Sequence, residues 1–272
     1  MSFEHRGRMP LDYQPVTYPG SVLRFRGPAC RMDRPYLLCL GGSETFGRFI
    51  YAPFAAQLDT ALQIDVVNMG VMNGGLDVLS GDPAIATALG GATAVVLQIT
   101  GAQTMTNRFY AVHPRRNDRF IKATPILRTI FRDVDFTEFH FTRHLLTHLH
   151  ALSPDRFAVL EAELRTAWLA RMSAFLRRTR VPVHLLWLSR RAPGDTGCQG
   201  GLGEDPLFVT PEMLEAVEGQ ATSLTIAAPA VSSDPAVTRG MFFATREEAA
   251  ARALPGPDLH DMAAARLLER LA

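Results

Sequence analysis

The chain has 272 residues, and what is scarce in them narrows the field first. Lys122 is the only lysine, and cysteine appears three times, at Cys30, Cys39 and Cys198. The cysteines are odd in number, widely spaced and without metal-ligand spacing. That argues against a disulfide framework and for reduced thiols in a cytoplasm. Charge of one sign is also missing, since the formal net charge is +1. A protein gathered onto nucleic acid by bulk charge is therefore not expected. No apolar run approaches the roughly 20 residues that cross a bilayer, so no membrane partner is expected either. The opening segment, MSFEHRGRMPLDYQP, lacks the apolar stretch of a secretory signal. No GxGxxG follows an apolar run, which disfavours a dinucleotide enzyme. There is no internal repeat and no low-complexity linker. The scarcity of lysine beside abundant arginine reads as genome composition rather than selection for anions.

What is present is a chain that is 47 % apolar, enough for one large domain over residues 1–272. Residues 1–34, rich in Tyr, Pro and Arg, read as an irregular arm with one strand at SVLRFRG (21–27). Short apolar runs then alternate with helical patterns. Strands are expected at 35–40, 64–71, 92–101, 181–189 and 223–230. Helices are expected at 48–62, from Asp82 to about 90, over 153–179, at PEMLEAVEGQ (211–220), at REEAAARAL and from Asp261 onward. Asp82 and Ser153 each precede a proline, a helix-opening signature. Strands apolar on both faces, alternating with helices, imply a parallel sheet covered on both sides. Residues 107–150 interrupt the alternation as a large, basic, aromatic insertion after the third strand.

Ligands of such sheets bind beyond the carboxyl ends of the strands. Three small residues fall there: Ser43 in GGSETFG (41–47), Gly70 in NMGV (68–71) and Gly101 in GAQT (101–104). Near the last helix, PGPDLH (255–260) supplies Asp258 and His260. A serine hydroxyl attacks an acyl carbon only when a base takes its proton, and histidine suits that task near neutral pH. The oxyanion that forms needs convergent donors. An acid beside the histidine fixes its tautomer. Asp258 is the nearest acid, although a helix-capping role for Asp258 or Asp261 fits equally.

In that order and placement the chain resembles the SGNH, or GDSL, hydrolase superfamily. The segments GSETFGRF and NRFYAVHPRRNDRF are also similar to segments of bacterial proteins without an assigned activity. The resemblance implies a flavodoxin-like three-layer α/β/α fold with about five parallel strands. It implies a serine-dependent acyl-ester hydrolase or O-acyltransferase with no cofactor and no metal. Ser43 becomes the nucleophile, His260 the base and Asp258 its orienter. Gly70 and Gln103 become oxyanion donors beside the Ser43 N–H. Departures stand at Gly42, where the family has aspartate, and at Gln103, where it has asparagine. A third is the two-residue spacing of Asp258 and His260.

A second reading starts from the glycines. Gly42-SETF-Gly47 matches the first part of a phosphate loop, yet Arg48 and Phe49 replace its lysine and hydroxyl residue. That leaves a non-catalytic module holding phosphate or sulfate, with Arg48 as the charge. In either case the expected partner is a small molecule or carbohydrate, and an anionic one fits the arginines. Arg48, Asn73, Asn107, Arg108 and Tyr110 are the expected substrate contacts, joined by Arg115 and Arg116 if the insertion forms a lid or rim. His140, His144 and His148 recur every four residues and read as the polar face of a helix rather than a zinc site.

Overall fold

The computed structural model describes residues 10–195, 201–229 and 237–271. Cys198 lies outside the described residues. The elements follow the expected alternation. Strand β1 (Tyr36–Gly41) is followed by the short helix α1 (Ser43–Phe46) and by α2 (Phe54–Ala61). Next come β2 (Asp65–Gly70), α3 (Leu76–Gly81), α4 (Pro83–Gly91) and β3 (Ala94–Gln98). The insertion holds β4 (Tyr110–His113), β5 (Arg116–Ala123), α5 (Pro125–Ile130) and α6 (Thr142–Leu152). The long helix α7 (Pro154–Arg178) then leads to β6 (Val183–Leu188), α8 (Pro211–Glu218) and β7 (Ser223–Ala227). Helices α9 (Glu248–Arg252) and α10 (Pro257–Leu271) close the described chain.

Five strands form one parallel sheet in the order β2-β1-β3-β6-β7. This is the flavodoxin-like order, in which the chain reverses direction between β1 and β3. Successive side chains of a strand point to opposite faces, and the core divides accordingly. Leu37 and Cys39 of β1 join Phe54 and Leu58 of α2 and Ala263 and Leu267 of α10 on one face. Leu38 and Leu40 join residues of α3, α4, α7 and α8 on the other. Both faces are covered, giving three layers, which is why every residue of β1 and β6 is buried.

The insertion packs on the larger of these cores through Tyr110, Phe120, Phe131 and Leu145. Its hairpin β4–β5 is antiparallel. The fully buried Asn117 pins it, accepting the N–H groups of Gly75 and Val78 at 2.9 and 3.2 Å. Its own amide donates to the His113 carbonyl at 3.0 Å.

Four local expectations need correction. The strand at 21–27 reduces to a single bridge between Val16 and Phe25. The helix expected over 48–62 is shorter, Phe54–Ala61, because residues 47–49 form a turn and Pro53 stands as the cap just ahead of the first helical residue. The last helix starts at Pro257 rather than Asp261, since proline is well placed at a first helical position. His140 lies ahead of α6, so only His144 and His148 are helical, and both pack on the Phe139 ring at 5.0 and 5.2 Å. Among the described residues no helix is long and apolar enough to cross a membrane, and no cluster of metal-ligating side chains occurs.

Candidate active site

The site is built around the turn that leaves β1. Asn68 of β2 donates from its side-chain amide to the Thr45 carbonyl at 2.8 Å. Gly70 sits so close beneath this turn that a Cβ there would lie 2.2 Å from the Phe46 nitrogen. From the other side, the Gln98 amide oxygen accepts the N–H of Gly42 (2.9 Å), the N–H of Thr45 (3.2 Å) and the Thr45 hydroxyl (2.7 Å). These contacts fix Ser43 as the first residue of α1. Its Oγ accepts the Asn73 N–H at 2.9 Å and its hydroxyl donates to the Asn73 side-chain oxygen at 3.4 Å. Asn73 itself adopts a left-handed backbone, φ 57°, which asparagine tolerates better than most residues.

Ser43 opens onto a cavity of about 590 Å³ at the reversal point between β1 and β3. This is the size of a small-molecule site. Ser43 and Glu44 contribute from α1, Gln98 from the end of β3, Gln103 from the loop that follows it, and Asp205 from the loop after β6. The insertion supplies Asp118, Phe141, Arg143 and His144, so it does form a wall of this cavity. Burial raises the Glu44 carboxyl above the usual range, and the nearby Asp205 charge adds to the rise. The Gln98 amide, which donates to Glu44 Oε2 at 2.9 Å, opposes it. Burial also raises the Asp118 carboxyl, against the pull of Arg116 and Arg119. Arg143 pairs with Asp205 at 2.8 Å. His144 is the one histidine lining the cavity among the described residues.

Of the residues expected at the site, Ser43, Asn73 and Gln103 line this cavity. The Gln103 amide donates to Asp205 Oδ1 at 2.6 Å, so one of its two N–H groups is already committed across the cavity. Gly70 likewise spends its N–H on Asn68 Oδ1 at 2.9 Å. His260 is turned into the core, 1 % exposed, stacked on the Phe54 ring. Its Nδ1 accepts the Phe54 N–H at 3.2 Å. Burial, helped by the Arg26 charge, pushes its pKa down to about 3. It forms no hydrogen bond with Ser43 among the described residues. Asp258 is exposed on the same helix. Two residues along a helix turn a side chain by roughly 200°, so Asp258 points away from His260 and cannot orient it.

The expected substrate arginines are engaged elsewhere. Arg48 pairs with Glu247 at 3.2 Å and covers the Phe49 ring, off the cavity. Arg108 approaches Glu163 at 3.6 Å. Arg115 lines a separate groove beside Asp82, and Arg116 lies 3.9 Å from Asp118. Asn107 closes its own turn on the N–H groups of Phe109 and Tyr110. Tyr110 is buried and donates its hydroxyl to the Gln103 carbonyl at 2.8 Å, supporting the cavity wall from behind.

Sequence reading missed Glu44, Gln98, Asp118, Arg143, His144 and Asp205. Glu44 sits inside the GGSETFG segment, and Gln98 is a polar residue closing a strand that is otherwise apolar. Asp118, Arg143 and His144 join them only when the insertion folds back over the sheet, and Asp205 only through the loop after β6.

The fold and cavity define an α/β protein with a parallel, flavodoxin-ordered sheet and a polar site at its reversal point. By comparison with known families, residues 1–272 match DUF6473, a domain of unknown function, and the chain belongs to that family. A search of curated proteins gives no match. Three solved structures are similar over 87 % of this chain. The lipase Lip_vut3 from a goat rumen metagenome is 12 % identical over 97 % of its length, with a TM-score of 0.43. A Lactobacillus plantarum protein is 13 % identical over 96 % of its length, with a TM-score of 0.44. A gut microbial diltiazem-metabolizing enzyme is 14 % identical over 46 % of its length, with a TM-score of 0.35.

Proposed function

We propose that the chain is a serine-dependent acyl-ester hydrolase or O-acyltransferase that acts on a polar substrate through Ser43. One observation carries the reading: a serine held at the start of α1, at the carboxyl end of β1, opens onto the cavity with a backbone N–H donated to its oxygen at 2.9 Å. Such a donor stabilises negative charge on Oγ as the proton leaves. The Ser43 N–H, first in its helix, has no protein acceptor among the described residues and is available to a developing oxyanion. The base belongs to the cavity rather than to His260, whose ring nitrogen is occupied by Phe54.

The lining also bears on substrate charge. Three carboxyl groups, on Glu44, Asp118 and Asp205, face one arginine, and that arginine is already paired. A neutral polyol or carbohydrate portion fits this better than an anion. The exposed Phe141 ring, 44 % accessible, offers it an apolar face. The same balance, with Arg48 held by Glu247, removes the support for an anion-binding module.

The test is intact mass after exposure to a fluorophosphonate, on wild type and Ser43→Ala. One adduct on the wild type and none on the variant is expected. A folded wild type that gains no adduct would sink the serine-nucleophile reading.

A further inference from the structure

Gln98 is the last residue of β3 and is 2 % exposed. Its amide has two separate tasks. The oxygen accepts three hydrogen bonds from Gly42 and Thr45 and so shapes the turn of Ser43. The nitrogen donates to the carboxyl of Glu44, the residue next to Ser43 and part of the same cavity wall. A buried amide whose oxygen is committed three times over cannot flip without breaking all of these bonds. The Glu44 carboxyl is thereby held at a fixed place on the wall of the cavity that Ser43 also lines. The other titratable and charged groups lining the same cavity are Asp205 after β6, Asp118 of β5, and Arg143 and His144 of α6. The Arg143 charge is taken by Asp205.

We infer that Gln98 positions Glu44 as the proton-transfer group for Ser43, an assignment that rests on the serine-nucleophile reading. In the acylation step the Ser43 hydroxyl turns from its long bond to the Asn73 side-chain oxygen, 3.4 Å, the O–H bond breaks and the proton passes to the Glu44 carboxylate through one bridging water. The freed pair on Oγ forms the bond to the acyl carbon, and the carbonyl π pair moves onto its oxygen. Collapse of that adduct expels the alcohol oxygen, which takes the proton back from Glu44. Water, or an acceptor alcohol, then repeats the sequence in reverse. A carboxyl whose pKa is lifted by burial is suited to this exchange near neutral pH. Glu44 is a catalytic residue in this scheme and Gln98 a positioning residue.

The experiment is the rate of fluorophosphonate labelling of Ser43 as a function of pH. It compares wild type, Glu44→Gln and Gln98→Glu, each checked for native circular dichroism. Glu44 acts when ionised, so wild-type labelling should rise with pH along one limb. Glu44→Gln should lose that limb and at least about 100-fold in rate, the usual contribution of a general base. Gln98→Glu places a second carboxyl against the first, and two such groups share one proton. Its limb should move upward by more than about one pH unit. A purely structural role for Gln98 would lower the rate without moving the limb. Where Glu44→Gln fails to fold, the Gln98→Glu profile decides alone. An unmoved limb in Gln98→Glu, or a limb that disappears only in His144→Gln, overturns the assignment while leaving Ser43 in place. A folded wild type that never labels removes Ser43 and this assignment together.

Discussion

The turn that carries Ser43 and the turn that carries His260 are alike in sequence and opposite in outcome. Each follows a glycine, each opens a helix, and each presents a residue type used in acyl transfer. Ser43 stands at the first position of α1, its hydroxyl open to the cavity. His260 stands four residues into α10, on the flank that meets α2, where the Phe54 N–H and ring claim it. What separates them is helical phase. Each residue advances the side chain by roughly 100°, so where a helix begins decides which side chains it buries. Starting α10 at Pro257 turns the histidine inward and leaves Asp258 in solvent.

That contrast can be broken hardest on the Ser43 side. Gly70→Ala puts a methyl 2.2 Å from the Phe46 nitrogen, against backbone that cannot yield cheaply. A stability loss of about 3 kcal/mol is expected from such overpacking, measured by urea unfolding, together with loss of Ser43 labelling. A variant as stable and as reactive as wild type would show that the turn does not depend on this close approach.

The His260 side gives a smaller, pH-dependent effect. Its folded pKa, about 3, lies below the ordinary value of 6.5. The unfolded chain therefore binds the proton first. The stabilisation is complete above pH 6.5 and is lost as pH falls towards 3. Between neutral pH and about pH 4.5 this term alone removes roughly 2 kcal/mol of stability. His260→Gln should flatten that part of the urea-midpoint profile and keep its fluorophosphonate labelling at neutral pH. Loss of labelling in a well-folded His260→Gln would return the histidine to the mechanism.

The smallest effect is expected at Asp258. Its carboxylate is exposed in the first turn of α10, where it complements the helix dipole. Asp258→Asn should cost less than about 0.5 kcal/mol by thermal melting and leave labelling unchanged. A large loss of labelling would give Asp258 a role that its exposed position does not explain.

Much of the scaffold was legible beforehand, for local reasons. The strand at Tyr36–Gly41 and the helices opened by Asp82-Pro83 and Ser153-Pro154 came from apolar runs and caps. These signals lie within a few residues of what they control. The insertion was legible as an interruption with a helix at its histidine-bearing end, but not as a hairpin, since the apolar residues of β4 and β5 face a core made by other elements. The site was legible at one end only. GGSETFG marks a strand-to-helix corner by itself, whereas nothing near Asp118, Arg143 or Asp205 ties those residues to it.

The sequence by itself determined the three layers, the parallel sheet and the place of Ser43 at a strand end. Period, caps and glycines act through neighbouring residues, and neighbours are what a sequence records. Only the tertiary structure decided which polar groups Ser43 meets. Gln98 reaches Glu44 across 54 residues, Arg48 reaches Glu247 across 199, and His260 reaches Phe54 across 206. Partnerships of that separation depend on how strands are ordered and how helices are phased, because burial requires each polar group to find a partner wherever the packing leaves it.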